Sequence, residues 1–341
     1  MLIILEGPDG VGKTTLANTL HDLILELVPR SSSVTIMRKG PPTRHPLDEY
    51  LTPLLDYRPN SGMHLILDRW HLGEYVYPRL SGRSTQLDDQ VFWYLNQYVR
   101  RLGGLLVMCF GDVERVEAVY RQRGSTHPFE QPGLYEKTDL LFTQAANAAA
   151  LPQVTYDWGD KHVIDPRNIV RTAQVRESYT FALDESVTYV GRISQQYLLL
   201  GDVRHGLDVA AQRETRSDRR PAFVPYRGTS GHWLLGAITS SRELRGRAAL
   251  VNACDVDDVY ELWDNLGRPK TVALGKHAYG KALLSGIPCG VVPHPQFGRR
   301  FHHHDQKSYA AALIAALEKQ EDHSKWQGSS TASTAPRSTA K

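Results

Sequence analysis

Residues 2–17 read Leu2-Ile3-Ile4-Leu5-Glu6-Gly7-Pro8-Asp9-Gly10-Val11-Gly12-Lys13-Thr14-Thr15-Leu16-Ala17. The apolar run at the front has the composition of a strand buried on both faces, and the segment after Lys13 opens an apolar helix. Between them stands Gly7-x-x-x-x-Gly12-Lys13-Thr14, the spacing of a phosphate-binding loop. Gly7, Gly10 and Gly12 let the backbone curl so that successive N–H groups point inward at phosphate oxygens, and the helix adds its positive end. Asp9, Val11 and Thr15 complete the expected lining. Lys13 is placed to bridge β- and γ-phosphates and the Thr14 hydroxyl to ligate Mg²⁺, so ATP and Mg²⁺ are the expected ligands.

Working outward, short β-rich runs at 2–5, 34–38, 64–67, 105–110 and 153–157 alternate with helical patterns. Leu16, Leu20, Leu23 and Leu27 recur at helical spacing, and 86–101, 112–122 and 134–149 read as further helices. Such alternation predicts a parallel sheet covered on both faces, an α/β fold. The pattern weakens from about 160 to 192, where a connecting helix is expected around 166–177. A second α/β series follows, with strands at 197–200, 248–252, 270–274 and 289–292 and helices near 231–240, 257–266, 276–285 and 305–318. The expected organisation is therefore a first domain at 1–177, a linker at 178–194, a second domain at 195–320 and a disordered tail at 321–341. That tail is small, polar and aperiodic, and cannot bury enough apolar surface to order itself.

The 341 residues carry a formal charge of +3, too little to demand a nucleic-acid partner by itself, although arginines cluster in the second half. The three cysteines, Cys109, Cys254 and Cys289, are far apart and outside C-x-x-C spacing. Neither a disulfide framework nor a cysteine metal site is suggested, and a reducing cytoplasm fits best. No apolar run approaches the roughly 20 residues of a membrane span, so no membrane partner is expected. His302-His303-His304-Asp305 is a poor metal tract, because consecutive residues on an incipient helix point in different directions. Asp305 is instead expected to cap the final helix, with Tyr309, Leu313 and Leu317 on its buried face.

A second chemical signal is Leu65-Ile66-Leu67-Asp68-Arg69-Trp70-His71, a buried strand ending in an acid and a base. Residues at a strand's carboxyl end face the ligand crevice of an open α/β sheet. There Arg69 would grip phosphate and Asp68 would hold the metal's water or position the acceptor; a surface ion pair capping the strand is the plainer alternative. Arg121 and Arg123 end a helical stretch before the breaker-rich Gly124–Pro128. A lid supplying charge neutralisation would use them so, whereas a solvated helix end would carry them as favourable C-terminal cations.

With these residues in view, 1–160 resembles the thymidylate kinase family of P-loop kinases, on Glu6-Gly7-x-Asp9-Gly10-x-Gly12-Lys13-Thr14-Thr15 and the Asp68-Arg69-aromatic run. The resemblance implies that Asp9 lies near the acceptor's sugar, Arg69 near the transferring phosphates, and Arg121 and Arg123 in the lid. It also implies a homodimer. The family's Arg-Glu-Pro-Gly segment is here Arg38-Lys39-Gly40-Pro41-Pro42, and its Tyr-Gln pair is Tyr77-Pro78. Both departures fall on the acceptor side.

In the second half, five segments stand in the order found in the uracil-DNA glycosylase superfamily, which 195–318 resembles. They are Leu198–Gly206, Pro225–Leu235, Ala249–Cys254, Val272–Gly275 and Val292–Phe301. The resemblance puts Asp202 in the place of the water-activating acid, Asn252 in that of the residue reading a pyrimidine edge, and His294 in that of the catalytic histidine. Phe297 would be a wedge beside Arg299 and Arg300 on a DNA backbone. The plainer alternatives are a satisfied strand-end amide for Asn252, a turn histidine for His294 and a core ring for Phe297. The family's Pro-Gly after Gly201-Asp202 is absent, Gln296 replaces a small residue, and the iron–sulfur cysteines are missing. Taken together, the expected activity is transfer of the ATP γ-phosphoryl group to a pyrimidine deoxynucleotide, dTMP or a 5-modified dUMP. The alternatives are phosphorylation of 5-hydroxymethyluracil within DNA, with the second domain presenting the base, and a glycosylase or silent DNA-binding module in the second half.

Overall fold

Why the first sheet forms is legible in its strands. β1 (Leu2–Glu6), β3 (Met63–Asp68) and β4 (Leu105–Phe110) are almost wholly buried apolar runs, while β2 (Ser33–Arg38) and β5 (Gln153–Asp157) alternate toward solvent at the edges. In the computed structural model, which describes residues 1–28, 33–122, 133–159, 164–178, 189–190, 195–202, 222–256, 258–303 and 305–320, they pair in the order β2-β3-β1-β4-β5, every pair parallel.

Pleating sends alternate residues to opposite faces. Ile3, Leu5, Ile66 and Val107 pack against Leu16, Leu20 and Ile24 of α1 (Lys13–Leu27) and Ile169 and Val170 of α7 (Pro166–Ser178). Leu2, Ile4, Leu67 and Leu106 face the other way. They meet α2 (Pro46–Asp56), α4 (Asp89–Arg101) and α6 (Leu134–Ala149) through Leu54, Leu95 and Phe142. α3 (His71–Ser81) and α5 (Val113–Gln122) complete this half.

A second sheet is ordered β10-β9-β7-β8-β6, from β6 (Tyr189–Val190), β7 (Tyr197–Gly201), β8 (Ala248–Asn252), β9 (Lys270–Leu274) and β10 (Cys289–Val292). Only β6 runs antiparallel. One face packs α9 (Val259–Asn265) and α10 (Lys276–Leu284) through Val259, Leu262, Ala278 and Ala282. The other packs α8 (Ser230–Ser240) and α12 (Gln306–Glu318) through Leu234, Ile238, Tyr309 and Leu313. That face belongs to the same continuous cluster as Leu54, Leu95 and Phe142 of the first half. Direct bonds reinforce the junction: the Tyr94 hydroxyl donates to the Ala222 carbonyl at 2.8 Å and Trp93 Nε1 to the Arg245 carbonyl at 2.6 Å.

Three helices depart from expectation. α2 and α3 occupy stretches with no helical pattern assigned, each with an internal proline, Pro53 and Pro78. α11 (Pro295–Phe301) likewise forms in a stretch to which no element was assigned, with Pro295 at its first position and His294 capping it. The segment from Gly124 to Pro128, Arg123, His304, the turn at 203–206 and the tail at 321–341 lie outside the described residues. No helix among the described residues is long and apolar enough to cross a membrane, and none of their His, Cys, Asp and Glu groups forms a metal-holding cluster of three.

Candidate functional site

The chain crosses from β1 to β2 on one side and from β3 to β4 on the other, so the carboxyl ends of β1, β3 and β4 border the sheet's crevice. Residues 7–12 bend there. Gly12, the residue before α1, adopts φ 76, and a Cβ on it would lie 2.7 Å from the Trp158 ring. Gly7 is tighter still, since a Cβ there would fall 2.0 Å from the Cys109 carbonyl oxygen of β4. Only a bare backbone passes both points.

Lys13 is 4 % exposed, and its ammonium donates to the Gly7 carbonyl at 2.7 Å and to the Pro8 carbonyl, with Asp9 3.7 Å away. Burial lowers its pKa against the pull of Asp9. The Thr14 hydroxyl donates to Oδ2 of Asp68 at 2.7 Å, and Arg38 Nε approaches the same oxygen at 3.6 Å. The second oxygen, Oδ1, is buried without a hydrogen-bond partner. Arg69 follows in a left-handed conformation, φ 68, which costs a non-glycine residue roughly 1–3 kcal/mol. Its guanidinium pairs with Asp9 at 2.9 Å.

Glu6 fixes this strand end to the next helix. Its Oε1 accepts from the Trp70 amide at 2.8 Å and the Leu72 amide at 2.9 Å, so a carboxyl sits at the N-terminus of α3. Burial nevertheless raises its pKa from 4.5 to about 7.

The loop therefore gathers Gly7, Asp9, Gly10, Gly12, Lys13, Thr14, Asp68 and Arg69 at one place. Val11 is fully buried, so its side chain belongs to the core rather than to the lining; only its backbone is left for a ligand. Thr15 is exposed on α1. Arg121 lies exposed near the end of α5, paired with Glu117 at 2.6 Å, and the segment expected to form the lid beyond it lies outside the described residues. Sequence reasoning did not single out Trp158 or Glu6's clamp. Trp158 had a signal, an aromatic next to Gly159 at the carboxyl end of an expected strand.

In the second half, β7 and β9 flank the corresponding switch point. A cleft of 670 Å³ opens there, lined by Asp202, Lys276, Tyr279, His294, Phe297 and His302. Asp202 is engaged: its Oδ1 accepts from the Ala278 amide in the first turn of α10, and Gly275 has no Cβ to obstruct Oδ2. His294 Nδ1 accepts from the Gln296 amide at 3.3 Å. Phe297 is 52 % exposed on α11, its ring 4.7 Å from that of Phe301, so it is not a core ring. Asn252 is buried and donates to Asp255 at 3.2 Å, the arrangement of a satisfied strand-end amide, and it is not among the cleft's lining residues. Arg299 donates to the Gly228 carbonyl at 3.3 Å, tying α11 to the loop before α8.

No protein-family model matches the chain, and no curated protein matches it. Among solved structures it is similar to the YorR protein of Bacillus subtilis, crystallised with phosphorylated GDP. The identity is 18 % over 52 % of this chain and 99 % of that one, with a TM-score of 0.42. It is also similar to deoxyadenosine kinase from M. mycoides with bound dCTP, at 15 % identity over 50 % of this chain and 97 % of that one, TM-score 0.29. A putative polyphosphate kinase 2 from Pseudomonas aeruginosa PA01 shows 13 % identity over 94 % of this chain and 83 % of that one, TM-score 0.40.

Proposed function

We propose that the chain is an ATP-dependent phosphotransferase acting on a pyrimidine deoxynucleotide. One observation carries this reading: a glycine-constrained loop around buried Lys13 lies beside the bonded pair Thr14–Asp68 at the crevice of a parallel sheet. Backbone amides of 7–12 and the α1 N-terminus would bind the phosphates, and Lys13 would neutralise charge on them. The Thr14 hydroxyl and the unpartnered Asp68 oxygen fit a hard cation such as Mg²⁺, which takes oxygen ligands. When bound, that cation supplies charge neutralisation at the transferring phosphoryl group. Arg69, held by Asp9, would orient the acceptor.

A phosphate acceptor, with a second pKa of about 6, is largely anionic at neutral pH and needs placement more than deprotonation. A base hydroxymethyl group is an alcohol and needs a general base, a part that Asp68 would fill. The second reading, phosphorylation of 5-hydroxymethyluracil in DNA, is favoured by the cleft that brings Asp202, His294 and Phe297 together. It is also favoured by a tie between the second half and the first, where the Tyr226 hydroxyl, in the loop before α8, donates to Asp48 of α2. Labelled ATP offered with dTMP, 5-hydroxymethyl-dUMP and duplex DNA with or without 5-hydroxymethyluracil separates the two. Label on free nucleotide supports the first; label only on modified DNA replaces it with the second.

A further inference from the structure

Between the two halves lies another cleft, of 540 Å³, that neither reading uses. α4 contributes Asn96, Gln97 and Arg100 to it, and the end of α8 with the segment after it contributes Arg242 and Arg245. No carboxylate is among its lining residues. Arg100 is spent on its neighbours, donating to the Ala149 carbonyl at 3.0 Å, to the Ala150 carbonyl and to Gln97. Arg242 and Arg245 have no side-chain partner among the described residues.

The carboxyl ends of α4, α6 and α8 also converge here, and their carbonyls work against an anion. Each helix end amounts to roughly half a negative charge. Three such ends do not cancel three guanidinium groups, so the cleft keeps a positive surplus. Its volume falls within the range of about 300–1,000 Å³ typical of small-molecule sites, larger than inorganic phosphate requires. A concave site of this size suits a single nucleotide better than the ridge of a duplex.

One wall leads to the phosphate loop. Asn96 donates its amide to the Phe92 carbonyl at 2.8 Å, which leaves its oxygen facing His71 Nε2 at 2.9 Å. His71 opens α3, the helix whose N-terminus Glu6 clamps, and stands two residues from Arg69. Displacing Asn96 would therefore reach the residues around Arg69 through a single side chain.

We propose that this inter-half cleft is a regulatory site for a small phosphate-bearing anion of nucleotide size, held by Arg242 and Arg245 and coupled to the phosphate loop through Asn96 and His71. The coupling rests on the phosphotransferase reading; the binding does not.

The test uses full-length Lys13→Ala protein, its donor site crippled, titrated calorimetrically with dTTP and with pyrophosphate. Saturable binding is expected, weakened at least tenfold when Arg242→Ala and Arg245→Ala are added. Absence of binding, or equal affinity with and without the two arginines, overturns the site. So does displacement of dTTP by an unmodified duplex that itself needs both arginines, since the surface would then belong to nucleic acid. Both arginines are exposed, and Arg242→Gln with Arg245→Gln repeats the test with less change of shape. In the otherwise wild-type enzyme, the anion should change the acceptor KM about fivefold or more, and the two arginine substitutions should abolish that change while leaving basal turnover intact. Binding without any effect on KM or kcat removes the regulatory role. If no acceptor is phosphorylated at all, the Lys13→Ala titration still decides the binding.

Discussion

The Thr14 hydroxyl donates a 2.7 Å hydrogen bond to Oδ2 of Asp68, joining the first turn of α1 to the last residue of β3. This bond sets two oxygens side by side and leaves the other Asp68 oxygen buried and unpartnered. A hydroxyl and a carboxylate together suit a hard cation far better than a thiol or imidazole set would.

Asp68→Asn keeps an oxygen for Thr14 and removes the charge. Turnover is expected to fall by about 100-fold or more, as for loss of one electrostatic contact in a transition state, with the melting temperature little changed. Thr14→Ser should keep most activity and Thr14→Val should not. Steady-state rates across a magnesium titration are the measurement, and an Asp68→Asn rate within a few fold of wild type removes the metal assignment.

Lys13→Ala should lower phosphoryl transfer by about a thousandfold or more, since the charge that faces the phosphates is lost. A lysine in a polar loop contributes no core volume, so its removal by itself would leave folding nearly untouched. The structure adds a cost, because the Gly7 and Pro8 carbonyls lose their shared donor. A loss of about 1–2 kcal/mol is expected in urea unfolding, small enough to leave the chain folded. Retained turnover would contradict the role given to this lysine.

The pH dependence of stability follows from two buried groups of opposite sense. Burial raises Glu6 from 4.5 to about 7, so the folded chain holds that proton more tightly than the unfolded one. Its contribution is fully present below pH 4.5 and is lost as pH rises through about 7. His71, pushed down by burial from 6.5 to about 4, contributes stability above pH 6.5 that is lost as pH falls through about 4. Glu6→Gln keeps an oxygen for the Trp70 and Leu72 amides and has no proton to lose. Relative to wild type, the variant should gain roughly 2–3 kcal/mol between pH 5 and 7, at about 1.4 kcal/mol per pH unit. Urea unfolding at both pH values reads this, and a difference that stays flat rejects the raised carboxyl.

How far these elements could be read in advance depends on where their stability originates. β4 and α6 carry their signals locally, an unbroken apolar run and a clean helical stripe, and their observed bounds coincide with those expected. α3 does not: Gly73 and Pro78 interrupt any stripe, and its start is held by Glu6, distant in sequence. α11 was legible in principle, since proline favours the first helical position, but seven residues opened by His294-Pro295 carry too short a stripe to stand out. The phosphate loop was fully legible, because glycine spacing records a backbone requirement. Side-chain pairings such as Arg69–Asp9 and Asn96–His71 depend on which strand ends and helices become neighbours, and no local pattern encodes that.

The junction between the halves yields the last prediction. Tyr94 is fully buried on α4, and its hydroxyl satisfies the Ala222 carbonyl within an apolar cluster that continues from Leu54 and Leu95 to Leu234 and Leu313. Domains joined by a polar, hydrated contact would unfold separately, whereas a shared apolar core makes the two sheets unfold together. A single thermal transition is therefore expected, with tryptophan fluorescence and far-ultraviolet circular dichroism coincident. Tyr94→Phe removes one hydroxyl and leaves the buried carbonyl without its donor, a cost of about 1–3 kcal/mol. Because the core is common to both halves, the whole transition should move down without splitting. Two separate melts in the wild type, or a Tyr94→Phe shift confined to one probe, would show that each sheet is stable alone and that the contact through Tyr94 merely tethers them.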